Sequence, residues 1–202
     1  MSAPTRRPLW KLVARALAMV GGAALLAGLV PLRRVAGDGM APTLRDGDWV
    51  WVLPLEPLRG DIVVLDDPLD PGHAVFRRAL TGGDTKTRVE EEGVRINGKK
   101  VRQKDMGTEG DHRVFQETIW SKPPAVATSW RIRRNKATVR WGADPVDVPT
   151  DHWYVLADDR DYTMDSRQWG PVPTAALAGV VRLRLGAGDQ WRPPVEWLTG
   201  TE

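Results

Sequence analysis

The chain has 202 residues, a formal net charge of +3 and no cysteine. The lack of cysteine excludes disulfides, thiol catalysis and cysteine metal sites. With 42% hydrophobic and 27% charged residues, most of the chain is expected to fold as a soluble domain. The basic excess lies near the N-terminus, and no lysine- or arginine-rich run with interleaved aromatics follows it. A membrane surface is therefore favoured over nucleic acid as a partner.

The first element in chain order is an apolar segment behind a basic N-terminus. We interpret residues 1–15 as cytoplasmic and residues 16–34 as one transmembrane helix, because more basic residues precede the apolar run than follow it. This orientation predicts a location in the bacterial cytoplasmic (inner) membrane, with the following domain on its outer, periplasmic side. A cleaved signal peptide and a buried helix are the alternatives. The run ends in Pro-Leu-Arg-Arg without a small-x-small site, and it has no polar face.

A mainly β domain is predicted over residues 35–185, where short β-rich runs alternate with turn residues. The predicted strands are Trp49–Leu53, Ile62–Leu65, Ala74–Phe76, Val94–Ile96, Arg131–Ile132, Thr138–Trp141, Trp153–Leu156 and Gly179–Leu185. Asn97-Gly98 predicts a hairpin turn, and only Thr174–Leu177 has a briefly helical pattern. Residues 102–150 interrupt the strand rhythm as an inserted subdomain or a long loop. Residues 186–202 form a Trp- and Pro-rich tail that we expect to be irregular.

Three segments in order carry a recognisable pattern. They are GDGMAPTLRDGD at 37–48, RGDIVVL at 59–65 with FRRALTGGDTK at 76–86 and VRINGK at 94–99, and ADDRDYTMDSRQWGPV at 157–172. Together with the N-terminal anchor they resemble the signature of type I signal peptidases, a family of membrane-bound bacterial serine endopeptidases. The resemblance implies that family's fold, a transmembrane helix followed by an antiparallel β domain beside the membrane. It implies no cofactor and no metal.

The resemblance also assigns individual residues. The positions that match the family motifs are Met40, Pro42, Thr43, Arg78, Asp84, Asp158, Arg160, Thr163, Asp165, Ser166 and Arg167. Among them, Thr163 matches a family serine that hydrogen-bonds the catalytic lysine. Asp165 and Arg167 match an ordering ion pair, and Asp165 has Arg77 as an alternative partner.

The chain departs from the family at its catalytic positions. The family uses a serine nucleophile, a lysine general base and, in many members, a hydroxyl that holds the oxyanion. Gly39 stands at the serine position, Arg77 at the lysine position and Gly37 at the hydroxyl position. Glycine has no atom that can attack a peptide bond, and arginine stays protonated in protein sites. The sequence therefore predicts that no catalytic set is intact.

Other residues offer weaker candidates for chemistry. Asp38, Thr43 and Ser166 are possible substitute nucleophiles, and Lys86 is a lysine well beyond the catalytic position. Asp158, Asp159, Asp161 and Asp165 lack the spacing of a calcium loop, so a turn with an Asp–Arg pair is the preferred interpretation. The three histidines lie far apart and have no metal-ligand spacing.

Two functions follow from these observations. The first is a signal peptidase-like protein without the Ser/Lys dyad, acting as a non-catalytic subunit that binds an extended peptide, a preprotein or another membrane-complex subunit. The second is an active signal peptidase with an atypical catalytic set, and a deliberately inactivated variant is a third interpretation. Trp49 and Trp51 share one face of a strand after the anchor, where they either pack in the core or meet lipid headgroups.

Overall fold

The computed structural model describes residues 32–90, 93–120, 127–135, 143–161, 163–187 and 196–197. Within these ranges no helix is both long and apolar enough to cross a membrane. Residues 16–31 of the expected anchor, like the expected strand Thr138–Trp141, lie outside them. The last three residues of the expected anchor, Leu32–Arg34, form a strand instead of helix, because they pair antiparallel with the strand that contains Trp49 and Trp51.

The largest sheet has eight strands. They are β1 (Leu32–Arg34), β2 (Asp48–Leu53), β3 (Ile62–Asp67), β4 (Asp70–Gly82), β12 (His152–Leu156), β13 (Val172–Pro173), β14 (Leu177–Ala187) and β15 (Glu196–Trp197). Their order is β1-β2-β14-β3-β4-β12-β13, with β15 paired to β14, and every pairing is antiparallel. This sheet confirms the predicted mainly β architecture.

Two smaller antiparallel sheets complete the fold. One is a meander of β8 (Arg102–Glu109), β9 (His112–Trp120) and β10 (Ala127–Asn135). The other contains β5 (Thr85–Glu90), β6 (Gly93–Ile96), β7 (Lys99–Lys100) and β11 (Ala143–Val148), in the order β11-β5-β6-β7. The described parts of residues 102–150 are thus mostly strand. Asn97 and Gly98 turn the chain between β6 and β7 with φ of 49° and 78°, as the Asn-Gly pair predicts.

Alternation along β2 shows how the sequence selects its buried face. Val50 and Val52 are buried, and Trp49 and Trp51, which alternate with them, are 38% and 42% exposed. Because successive side chains of a strand point to opposite faces, the two tryptophans share the outer surface. The structure therefore does not place them in the core, and contact with lipid headgroups stays a prediction.

The helical elements are short. The helix α1 (Ser166–Trp169) begins at Asp165, whose carboxylate accepts a hydrogen bond from the backbone N–H of Arg167, and Gln168 bonds back to the N–H of Asp165. This reciprocal arrangement is a capping box. The sequence pattern does not predict α1, but it does predict the 3-10 turn Thr174–Ala176.

Candidate functional site

A cleft of about 230 Å³ lies between β4 and two loops, one after β1 and one before α1. Its walls are formed by Val35, Ala36, Gly37, Gly39, Met40, Asp67, Val75, Phe76, Arg77, Thr163 and Met164. All three segments that carried the sequence motifs contribute to it, although they lie far apart along the chain. The two predicted catalytic positions, 39 and 77, thus line one cleft.

Gly39 lies directly against Thr163. A Cβ atom built on Gly39 would lie 2.8 Å from Thr163 Cγ2, 3.3 Å from Thr163 Oγ1 and 3.6 Å from Arg77 Nη1. Positions 39, 77 and 163 therefore meet as the motif alignment requires. At 2.8 Å, a side chain at position 39 would require Thr163 to shift. Gly37 has φ of 77°, a conformation that L side chains rarely adopt.

Arg77 crosses the cleft from β4. Its Nε donates to the carbonyl oxygen of Met164 at 2.8 Å and its Nη1 to the carbonyl oxygen of Phe76 at 2.6 Å, while the guanidinium stacks over Trp169. The side chain is 94% buried, since only 6% remains exposed. Burial lowers the pKa of Arg77 to about 10, an effect that Asp165 and Asp67 partly oppose. The guanidinium is still protonated at neutral pH and cannot accept a proton from a nucleophile.

A buried ion pair, Arg78–Asp158, lies next to the residues that line the cleft. Arg78 Nε donates to Asp158 Oδ1 at 2.9 Å, its Nη2 forms a second bond to Oδ2, and its Nη1 donates to the carbonyl of Gly60 at 2.7 Å. Thr43 Oγ1 donates to Asp158 Oδ2 at 2.5 Å. Bidentate Arg–carboxylate pairs fix geometry strongly. This cluster joins the first, second and third motifs behind the cleft.

Asp165 organises the loop that forms the second wall. Its carboxylate accepts from the Arg167 side chain at 2.8 Å on both oxygens and from the backbone N–H of Ala157 at 2.9 Å. The predicted Asp165–Arg167 pair therefore lies at the site. The alternative Arg77–Asp165 salt bridge does not form, because the Asp165 carboxylate is already occupied and Arg77 reaches backbone carbonyls instead.

Glu117 of the meander was not identified from the sequence. It is fully buried and accepts from Arg160 Nη2 at 2.6 Å, from Trp130 Nε1 at 3.0 Å and from Gln103 Nε2 at 2.8 Å. Through Arg160 it ties the meander to the loop that holds Asp158 and Thr163. No local signal marks Glu117, because its partners come from three different strands and loops.

The model of the family described as signal peptidase, peptidase S26, matches residues 7–186. That span includes the cleft, both of its motif loops and the buried ion pairs beneath it.

The chain belongs to the S26 signal peptidase family.

Characterised relatives agree with this assignment. The chain is similar to signal peptidase I of Pseudomonas aeruginosa, with 26% identity over 84% of this chain and 66% of the relative. It is similar to signal peptidase I of Aquifex aeolicus, with 28% identity over 72% of this chain and 71% of the relative. A Pseudomonas fluorescens relative is covered over 56% of its length. The chain thus spans less than two thirds of the length of each of the two Pseudomonas proteins.

A solved signal peptidase I from Enterococcus faecalis is also similar. Its identity is 22% and its TM-score 0.41, over 63% of this chain and 97% of that chain.

Of the residues assigned from the family motifs, Met40 and Thr163 line the cleft itself. Met40 is buried in the core beside it, and Pro42 follows a cis peptide bond in the same loop. Ser166 is buried and its Oγ accepts from the N–H of Val155 at 2.9 Å. Asp84 lies apart, in the turn between β4 and β5, where it accepts from Thr150 Oγ1 at 2.9 Å.

The aspartates of the third motif are occupied by separate partners. Asp158 pairs with Arg78, Asp159 with Arg133 at 2.6 Å and Asp165 with Arg167. Among the residues that the structure describes, no group of three His, Cys, Asp or Glu side chains is placed to hold a metal ion.

Proposed function

We propose that this chain is a membrane-anchored member of the signal peptidase family that has lost the Ser/Lys dyad and binds an extended peptide segment instead of cleaving it. The observation that supports this proposal best is that Gly39 and a protonated Arg77 occupy the two catalytic positions, which lie next to each other in the cleft. Acyl transfer needs a nucleophile and a neutral base within hydrogen-bond distance of each other. Neither is present at these two positions.

The substitute nucleophiles do not replace the pair. Thr43 and Ser166 are engaged in buried hydrogen bonds. Asp38 accepts from the N–H of Asp46 at 3.1 Å and has only a carboxylate to offer. Thr163 lines the cleft, and Arg77 is its cationic neighbour. These environments disfavour the alternative of an active enzyme with an atypical catalytic set.

No lysine is available as a base among the described residues. The four lysines in these ranges are all exposed and belong to the two smaller sheets: Lys86, Lys99, Lys100 and Lys104. A lysine serves as a general base when burial favours its neutral form. An exposed lysine outside the cleft does not meet that requirement.

The edge of β4 offers a place for an extended segment. On one side β4 pairs with β3 from Asp70 to Arg78, but on the other side β12 pairs only from Arg78 to Gly82. The second edge of residues 70–77 thus has no strand partner in the described part of the chain, and it borders the cleft. Extended peptides bind open sheet edges by adding a strand. A preprotein or a segment of a membrane-complex subunit is the proposed occupant.

A two-part assay tests this proposal. The full chain in detergent is incubated with a preprotein, and cleavage is followed by mass spectrometry; binding of a peptide from the preprotein's cleavage region is measured by calorimetry. We expect binding without cleavage. Cleavage by the natural chain would overturn the non-catalytic role, and absence of binding would overturn the peptide-binding role.

A cleft-filling variant locates the binding. Met164→Trp places a larger side chain on the cleft wall at a residue that is 39% exposed, so it should abolish binding without disturbing the core. The matched control is Met106→Trp, because Met106 is 42% exposed on β8 and does not line the cleft. Equal binding by both variants would place the peptide elsewhere.

A further inference from the structure

Three arginines are buried among the residues that the structure describes, and Arg77 differs from the other two. Arg78 pairs with Asp158 and Arg160 pairs with Glu117. Arg77 has no carboxylate oxygen within 4.0 Å in the described part of the chain. The expense of burying a charge is normally offset by an ion pair. The cation at Arg77 is only partly compensated, by two carbonyl oxygens.

The guanidinium still has donors to offer. Nε and Nη1 are occupied by Met164 and Phe76, whereas Nη2 has no hydrogen-bond acceptor among the described residues. Because Arg77 lines the cleft, the N–H groups of Nη2 can donate to an acceptor that enters the cleft. Planar guanidinium groups favour carboxylates above other acceptors, since charge-assisted hydrogen bonds are about twice as strong as neutral ones.

The neighbouring acidic groups do not fill this role. Asp165 is held by Arg167 on both oxygens, and Asp67 is occupied on Oδ1 by the N–H of Leu69 at 2.9 Å. Asp67 lines the cleft and raises the pKa of Arg77, but it forms no ion pair with it. Arg77 and Asp67 are the only charged side chains among the described residues that line the cleft, so removal of the Asp67 charge would leave Arg77 as the sole charge there.

We propose that Arg77 makes the cleft selective for a peptide that carries a carboxylate, either at its C-terminus or on an acidic side chain. The inference rests on the proposed peptide-binding role and adds its specificity. The carboxylate docks on Nη2, next to the open edge of β4. The same substitution that removes the base at position 77 thereby supplies a recognition group.

Four tetrapeptides measure this selectivity by calorimetry with the full chain in detergent. They are acetyl-Ala-Val-Ala-Ala with a free carboxylate, the same peptide as an amide, and amides with Glu or Gln in place of Val. We expect an acidic peptide to bind at least about tenfold more tightly than its neutral counterpart, because hydrogen bonds to charged groups contribute more than neutral ones. Tighter binding of the free-acid peptide would identify a C-terminal carboxylate as the ligand, and tighter binding of the Glu peptide would identify a side-chain carboxylate.

Variants assign the preference to Arg77. Arg77→Gln should remove it and Asp67→Asn should strengthen it, while Arg88→Gln, on an exposed arginine of β5, should leave it unchanged. Arg77→Lys keeps a cation as long as the pH stays below the pKa of that lysine, and there it should retain part of the preference. The comparison of the four peptides on the natural chain depends on no variant. Equal affinity for acidic and neutral peptides would overturn this inference alone. Failure of all four peptides to bind would overturn it together with the proposed function.

Discussion

At the scale of single residues, buried ion pairs hold the walls of the cleft together. Asp158 is completely buried and receives Arg78 and Thr43. Removing one partner of a buried pair leaves the other charge uncompensated, which typically costs about 3–5 kcal/mol. The sequence placed these residues in family motifs, but their mutual contacts became visible only in the structure.

Asp158→Asn is expected to lower the free energy of unfolding by about 3–5 kcal/mol, because the Arg78 guanidinium stays buried without its counterion. Guanidinium chloride unfolding of the detergent-solubilised chain measures the loss. The matched control is Asp147→Asn, since Asp147 lies 4.0 Å from Lys86 in an exposed pair and should change stability by less than about 0.5 kcal/mol. Equal losses for both variants would contradict the structural role of Asp158.

The contact between Gly39 and Thr163 limits how a Ser/Lys dyad can be introduced at positions 39 and 77. A serine at position 39 alone would place its Cβ 2.8 Å from Thr163 Cγ2. Thr163→Ser removes that methyl group and keeps the hydroxyl. The variant G39S/R77K/T163S therefore has a serine, a lysine and no methyl group at position 163 to clash with the serine.

If G39S/R77K/T163S cleaves, its rate should increase with pH. A lysine acts as a base only when it is neutral, and the burial that lowers the pKa of Arg77 should also lower the pKa of a lysine there below its ordinary value of about 10.4. The rate is then low at acidic pH and rises as pH approaches that lowered pKa. Initial rates from pH 6 to 9 measure this profile, and a rate that falls across the range would exclude the lysine as base.

At the scale of elements, the hairpin between β6 and β7 is a case where the sequence was sufficient. The pair Asn97-Gly98 predicts a tight turn, and both residues have positive φ in the structure. The meander β8–β10 is the opposite case. The polar residues of β8 show no hydrophobic alternation, because β8 is exposed along almost its whole length, and the buried contacts of the meander include the charged Glu117.

Gly98→Ala should destabilise the chain by about 1–2 kcal/mol, because a side chain at φ of 78° is strained. A built Cβ meets nothing within 4 Å, so the expected cost is purely conformational. Unfolding midpoints measure the change, with the exposed neighbour substitution Lys99→Ala as the control. A neutral Gly98→Ala would show that the turn does not restrain the hairpin.

The family motifs gave more of the site than the strand pattern did. They identified positions 39, 77 and 163 before any contact was known, and the structure brings these positions together. Two features of the site could not be predicted from the motifs. The carbonyl partners of Arg77 depend on backbone positions in β4 and in the loop before α1, and the Glu117 cluster depends on strands that pair only after folding.

At the scale of the whole molecule, an apolar surface lies next to the predicted anchor. Leu32 pairs with Trp51 across β1 and β2, and Leu32, Trp49 and Trp51 are all at least 38% exposed. Tryptophan prefers the membrane interface, where an apolar ring and a polar N–H are both accommodated. We therefore expect this face to lie against the bilayer.

Brominated lipids test that orientation, because they quench the fluorescence of tryptophans that contact the acyl chains. In vesicles that contain the full chain, W49S/W51S should lose most of the quenching seen with the natural chain. The control is Trp120→Ser, since Trp120 is 60% exposed but belongs to the meander sheet. Quenching that depends on Trp120 instead would place a different face on the membrane.

The most direct test of a non-catalytic role compares preprotein cleavage by the natural chain and by G39S/R77K/T163S, with R77K/T163S as the variant that still lacks a nucleophile. Loss of a nucleophile or its base costs on the order of a million-fold in rate. We expect no product from the natural chain or from R77K/T163S, and measurable cleavage from G39S/R77K/T163S. Cleavage by the natural chain would contradict the proposal that this chain has lost the chemistry of the Ser/Lys dyad.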